Sequence, residues 1–414
     1  MSKSKIIIIG GGASGLVAGI ISARNGAKVT IIERKDKIGK KILATGNGRC
    51  NISNTDIGKE RYHTENQVFD MYEEVFAQCD LSKIIEFFKE LGIDVVELES
   101  GKLYPMSLQA SAVVDVLHLE LVRLKVAIIT DQEVSSIEYA DQFKVITSER
   151  TYYGSHVILA AGGKSTPDLG SNGTGYALAE KFGHTLTKVY PSIIQLKTDF
   201  PYLRSVKGSK VEGIISLYDD NELIATASGE ILFTDYGLSG PPVLDISRIA
   251  SKRINQGLTS SVQIDMLPCF GDLDAYLIKR INLASGKTAS ELLIGLINKR
   301  LIMPVLKSVD IDIHKKACDI TKSERQALVK ALSALSMNVT GTNQWNQSQV
   351  TSGGINLAEI DSKTLASKII DHLYICGEIM DVDGDCGGFN LQWAFSTGYI
   401  AGLYASGGIS ENNN

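Results

Sequence analysis

The chain has 414 residues, of which 44% are hydrophobic and 21% charged, and it carries a formal net charge of −5. That length exceeds one ordinary core, so two or three domains are expected. The charge balance argues against a general nucleic-acid binder or a protein drawn to anionic membranes, so a small-molecule partner is expected; nothing in it addresses oligomeric state.

Residues 6–23 carry no charge and are flanked by Lys3, Lys5 and Arg24, the outline of a membrane span or signal peptide. Three consecutive glycines at 10–12 would interrupt such a helix. A strand over 5–9, a helix over 13–25 and a second strand over 28–33 account for the same residues as a βαβ unit. Helices are expected over 67–78, 81–91 and 111–124, then short strands over 127–130, 135–139 and 143–147, and an apolar strand over 157–160. From Pro191 the pattern alternates, with strands over 213–218 and 222–227 joined at Asp219, Asp220 and Asn221. It turns helical over 273–282, 290–299 and 322–335, and strand and turn signals return after Val350. The tail 410–414 is polar and is expected to fray.

Gly10, Gly12 and Gly15 form GxGxxG between a strand and a helix. The first permits a tight turn, the second lets the backbone approach a pyrophosphate, and the third lets helix and strand pack closely. The helix start, at Ala13 and Ser14, offers free N–H groups to the phosphates. Glu33, ending the second strand beside Arg34, can accept from a ribose 2′-hydroxyl, and its charge would repel a 2′-phosphate. FAD or NAD is therefore favoured over NADP at this site.

A second segment discriminates between those two. Residues 374–381 contain Gly377, Glu378 and Asp381, and residues 387–391 contain Gly388, Phe389, Asn390 and Leu391 at the start of another helix. This resembles flavoproteins with two dinucleotide-binding motifs, in which such a segment contacts the pyrophosphate and ribityl chain and aims a helix N-terminus at the flavin pyrimidine ring. Negative charge on reduced flavin gives that placement chemical sense. Ala161, Gly162 and Gly163 after an apolar strand look like a turn passing close to the same cofactor, and Val134 could set a backbone amide against adenine. Gly15, Gly19 and Ala23, and likewise Ala394, Gly398 and Gly402, recur every four residues and give small-residue helix faces for close packing.

The run 39–54, containing Lys41, Gly48, Arg49, Cys50 and Asn51, is more specific. With residues 233–241, 350–354 and 377–393, it resembles the bacterial YhiN/BaiN-like flavoproteins, also described as NAD(P)/FAD-dependent or aminoacetone-oxidase-like enzymes. The resemblance runs essentially end to end. It implies an α/β fold: a Rossmann-like FAD domain over 1–190 and 346–414, split by an inserted β-barrel over 191–270 and 336–345 and a small helical bundle over 271–335. FAD is expected to be bound non-covalently, and because no second GxGxxG is present, an NAD(P)H donor would dock only transiently.

Arg49, Cys50 and Asn390 are the candidate catalytic residues. Arg49 could stabilise pyrophosphate or charge developing on flavin or substrate, or be held in a loop salt bridge. Cys50 is either a redox thiol or a small packed residue. Asn390 could cap its helix and touch the flavin. Lys41, with Lys40, could neutralise phosphate or form a solvated basic pair. Six cysteines without a CxxC pair, and six histidines without ligand spacing, predict reduced thiols, a cytoplasmic setting and no metal site.

The expected function is hydride transfer through flavin N5, reducing an organic acceptor such as a conjugated enone. The alternatives are an amine or amino-ketone oxidase and an FAD-binding redox sensor. The substrate is expected to enter between the FAD domain and the insertion.

Overall fold

A computed structural model describes residues 4–65, 70–284 and 286–408. The start of the helix expected over 67–78, and the tail 410–414, lie outside the described residues. The chain forms two compact units, one running to Tyr190 and resuming at Gln349, the other Pro191–Ser348.

The first unit is built on a five-stranded parallel sheet. Its order is Leu373–Ile375, His156–Leu159, Lys5–Ile9 (β1), Lys28–Ile32 (β2), Ala127–Ile129. The four isoleucines of β1 are all buried. β-Branched side chains suit a pleated strand, and a strand apolar on both faces needs cover on both.

The cover on one side is helix Ala13–Arg24 (α1), whose residues 14–22 are all buried. Such burial needs a second neighbour, and the C-terminal helix Phe389–Ala405 supplies it. A Cβ on Gly398 would lie 2.3 Å from the Ser14 carbonyl oxygen, and one on Gly402 2.6 Å from that of Ala18. The small-residue stripes expected on these helices are thus the place where two backbones touch. A meander of Val134–Tyr139, Phe143–Thr147 and Thr151–Gly154 completes this part of the unit.

The second unit contains a closed six-stranded barrel. Its order is Leu196–Thr198, Gly237–Ser239, Glu222–Phe233, Lys210–Asp219, Ser261–Asp265, Leu335–Thr342. The hairpin read at 213–227 is longer than its alternation suggested, and Asp220 takes the positive φ of its turn, +50°. Helices Leu273–Asn282, Lys299–Ser308 and Lys322–Ser333 share one apolar core with the barrel. A helix over Pro241–Asn255 stands where the sequence suggested only strands. Pro241 at its first position starts it, because the ring fixes φ for a helix and lacks an N–H the helix would leave unpaired there.

No described helix is long and apolar enough to cross a membrane.

Candidate active site in the Rossmann unit

The strand end of β1 makes the first half of the site. Gly10 has φ +108°, and a Cβ there would lie 2.3 Å from the carbonyl oxygen of Ala160, so only glycine fits. A Cβ on Gly15 would meet the Gly10 carbonyl oxygen at 2.0 Å, which is the close helix–strand approach expected of the third motif glycine. Gly12 is different: a Cβ built on it has no heavy atom within 4 Å. Open space over Gly12 and the start of α1, at Ala13 and Ser14, is what a pyrophosphate cradle requires.

Glu33 lies beside this cradle and is buried. Its two carboxylate oxygens accept from the amides of Gly11 at 2.7 Å and Lys35 at 2.8 Å. Burial raises its pKa, and those amides with the Arg34 charge draw it back part of the way. Each oxygen keeps a lone pair for a ribose hydroxyl. Arg34 donates to the Gly170 carbonyl at 3.2 Å and pairs with Glu133 at 3.5 Å. Val134 is buried at the first position of the meander.

A second group gathers around Glu378. It accepts from Lys41 Nζ at 2.7 Å, from the Thr351 amide at 3.0 Å and from the Gly163 amide at 3.5 Å. Lys41 is therefore paired with an acid and is not a solvated base, whereas Lys40 pairs with Asp36 one turn before it. Gly162 has φ +72° and Gly377 φ +84°, and a Cβ on Gly377 would meet Ser14 Oγ at 2.4 Å. Ala161 packs on the core between the two groups. Thr351, to which sequence reasoning gave no role, accepts from the amides of Lys164 and Ser165 at 2.8 and 3.0 Å.

The third group is the loop containing Gly48, Arg49, Cys50 and Asn51, set against the N-terminus of the C-terminal helix. Gly388 caps that helix with φ +106°, and a Cβ on it would fall 2.4 Å from the Ser53 carbonyl oxygen and 2.9 Å from Asn51 Oδ1. Asn51 Oδ1 and Ser53 Oγ are buried without a hydrogen-bond partner among the described residues. Unpaired buried polar atoms are costly, roughly 1–3 kcal/mol each, unless a ligand or water meets them. They lie beside the start of that helix, which the resemblance aims at the flavin pyrimidine ring, and a polar ring edge is a group that fits them.

Several expectations need correction here. Arg49 forms no loop salt bridge among the described residues; its guanidinium lies 5.0 Å from the Tyr104 ring centroid and donates to the Gly46 carbonyl at 3.2 Å. Cys50 is wholly buried, and burial pushes its thiol up to about 12, so it is a packed neutral thiol and no redox nucleophile. Asn390 does not cap its helix. Its Oδ1 accepts from the Gly384 amide at 2.9 Å, and its Nδ2 donates to the carbonyls of Gly384 at 2.7 Å and Asp385 at 3.3 Å. Asp381 is fully buried, with its carboxylate accepting from Thr64 Oγ1 at 2.9 Å and the Glu65 amide at 3.1 Å, so it braces a loop and offers no face to a cofactor. Phe389 and Leu391 pack into the core.

Sequence reasoning missed a dyad. Strand Tyr62–His63 pairs antiparallel with Asp383–Gly384, and Asp385, the next residue, accepts from His63 Nε2 at 2.7 Å. Its only sequence signal is the proximity of Asp385 to the glycine pair that starts the C-terminal helix.

The parallel sheet, the glycine turn, the buried acid beside it and the glycine-started second helix define an FAD-dependent oxidoreductase on a Rossmann-type scaffold. More narrowly, the chain belongs to the HI0933-like family, whose model, described as HI0933-like protein Rossmann domain, matches residues 4–404. It is 37% identical over 411 residues to a protein of Clostridium scindens named 3-dehydro-bile acid delta(4,6)-reductase, covering 97% of this chain and 99% of that one. It is 30% identical to a Haemophilus influenzae protein named ribosomal RNA dihydrouridine synthase, covering 97% and 98%. Among solved structures it resembles a 3-ketosteroid delta1-dehydrogenase from Sterolibacterium denitrificans, with TM-score 0.52 and 11% identity over 98% of this chain and all of that one, a likeness of fold. A relative named for ribosomal RNA means that net charge is no ground for setting nucleic acid aside as a partner.

Proposed function

We propose that this protein reduces a carbon–carbon double bond conjugated to a carbonyl in a small apolar molecule, with FAD as carrier and NAD(P)H as transient donor. The observation that carries this reading is the 37% identity to the bile-acid reductase across nearly both full lengths. FAD, when bound, supplies hydride transfer at N5. The chain's own residues then have separable tasks. The N–H groups opening α1 hold pyrophosphate, Glu33 holds ribose, and Lys41 with Glu378 flanks the linking chain. The N-terminus beginning at Gly388 stabilises negative charge on the flavin pyrimidine ring.

The relative named for dihydrouridine supports a second reading with the same chemistry, because forming dihydrouridine also saturates a ring double bond next to a carbonyl. The test is anaerobic mixing with NADH or NADPH while following flavin absorbance, then adding a 3-oxo-4-ene steroid, a uridine-containing RNA, or oxygen. Bleaching by a nicotinamide and fast recovery with the steroid is expected. Fast recovery with RNA alone would move the reading to the second substrate. Bleaching by amines but by neither nicotinamide would replace it with an oxidase.

A further inference from the structure

We propose that His63, oriented by Asp385, is the acid that delivers the proton to the substrate carbon next to the carbonyl; this rests on the enone-reductase reading above. Saturating a conjugated double bond takes a hydride at the β-carbon and a proton at the α-carbon. The hydride has a source in reduced flavin. The proton needs a group that is held in place, reachable by substrate, and rechargeable from solvent.

His63 meets these three conditions. It is held because Nε2–H donates to the Asp385 carboxylate at 2.7 Å, which leaves Nδ1 as the exchanging nitrogen, with no partner among the described residues. Asp385 is held in turn from three directions. Its amide donates to the Arg61 carbonyl at 2.9 Å, its carboxylate faces Arg61 Nη1 at 3.5 Å, and its carbonyl accepts from Asn390 Nδ2 at 3.3 Å. The pair is reachable, since the His63 side chain is 30% and that of Asp385 35% exposed.

His63 also lines a small cleft whose other walls include Tyr62, Tyr72, Leu357, Val382 and Trp393. The lining is apolar, and Trp393 adds a buried indole N–H without a partner among the described residues. The cleft adjoins the start of the C-terminal helix: Tyr62 Oη donates to the Phe389 carbonyl at 3.1 Å, and Arg61 lies over the Phe389 ring. The charged and titratable groups around the imidazole are Asp385 and Arg61, Asp383 opposite it in register, and the phenols of Tyr62 and Tyr72.

Hydride from reduced flavin forms the new β-carbon–hydrogen bond and shifts the π electrons onto the α-carbon and carbonyl oxygen as an enolate. The enolate pair takes the proton from Nδ1 of the imidazolium, the N–H bond breaks with its electrons left on nitrogen, and neutral His63 keeps its Nε2–H on Asp385. Solvent then reprotonates Nδ1. Asp385 and Asn390 are positioning residues in this scheme, which gives Asn390 a place one step removed from the chemistry.

The test uses FAD-loaded enzyme, reduced anaerobically and mixed in D2O with a 3-oxo-4-ene steroid. Wild type is expected to place one solvent deuteron on a single face of the α-carbon. His63→Gln is expected to bind FAD normally and react with oxygen at the wild-type rate. Its reoxidation by the enone should slow by about 10²- to 10⁴-fold, with loss of facial selectivity. Asp385→Asn is a second, gentler variant. Nitrogen-15 NMR of the imidazole in the oxidised holoenzyme should show the Nε2–H tautomer in wild type and a mixture in that variant, whether or not turnover occurs. A wild type that reduces the steroid beside a His63→Gln variant of equal rate and selectivity overturns the acid role alone. A wild type whose reduced flavin is inert to every conjugated ketone overturns the enone reading together with it.

Discussion

Gly10 and Gly12 are two glycines two residues apart with opposite physics. Gly10 is confined by its positive φ and by the Ala160 carbonyl, whereas the space above Gly12 is open. Gly10→Ala should lower unfolding free energy by about 2 kcal/mol or more in a denaturant titration, because strain and overlap both oppose it. Gly12→Asp should leave the apoprotein as stable as wild type, since aspartate is a good residue at a helix N-cap, yet put a carboxylate where phosphates must sit. That protein should fold and be colourless; retained stoichiometric FAD would refute the cradle. Cysteine reactivity separates by the same logic. At pH 8 an alkylating reagent should modify exposed Cys269 and Cys318 in the native protein and spare Cys50, Cys79 and Cys376, whose thiols burial pushes up to about 12. Labelling of native Cys50 at a rate like that of Cys318 would contradict its packed, neutral state.

Between elements, the contact of α1 with the C-terminal helix is the one most sensitive to volume. Gly398→Ala forces a methyl toward the Ser14 carbonyl at 2.3 Å. It should cost about 1–3 kcal/mol by denaturant unfolding, as overpacking does, and it should weaken FAD binding because the proposed cradle and the proposed flavin-facing N-terminus belong to these two helices. A loss below roughly 0.5 kcal/mol would mean the helices slide apart freely.

A different joint links the turn after helix Thr174–Glu180 to the chain near Glu359. His184 is buried there, with Nδ1 facing Glu359 at 3.1 Å and Nε2 facing Ser367 Oγ at 2.8 Å. Burial lowers its pKa, and Glu359 recovers part of the shift. The unfolded chain therefore takes up the proton first. The stabilising contribution is complete above the unfolded value, near 6.5, and shrinks as pH falls toward the lowered folded value. His184→Gln should flatten part of the loss of stability between about pH 6.5 and 5, measured by urea midpoints. An unchanged slope would contradict this. His156, which burial and then His372 shift in the same direction, adds to the same loss.

What could be read from sequence follows from how far apart the interacting residues lie. The βαβ unit, its glycines and Glu33 fall within one short stretch whose strand and helix periods are both clear, so the strand, turn and helix and the acid beside them were legible together. The second helix was legible through its glycine start. His63 and Asp385, 322 residues apart, were not, because only strand pairing brings them together. Asn390 shows the opposite failure: an amide at a helix start suggests a cap, but Gly388 holds that position and the side chain clamps a loop. Pro241 was a helix signal masked by the strands around it.

At the scale of the whole molecule, the parallel sheet unit carries all the residues assigned to FAD, while the unit Pro191–Ser348 keeps its own barrel core. A single function must therefore be tested on the full chain. The most direct measurement is one anaerobic turnover of fully reduced holoenzyme with a 3-oxo-4-ene steroid, comparing flavin reoxidised with product formed. One saturated product per flavin is expected, carrying one hydride from the flavin and one proton from solvent. Full flavin reoxidation with the double bond left intact, or no reoxidation while an amine reduces the oxidised enzyme, would contradict it.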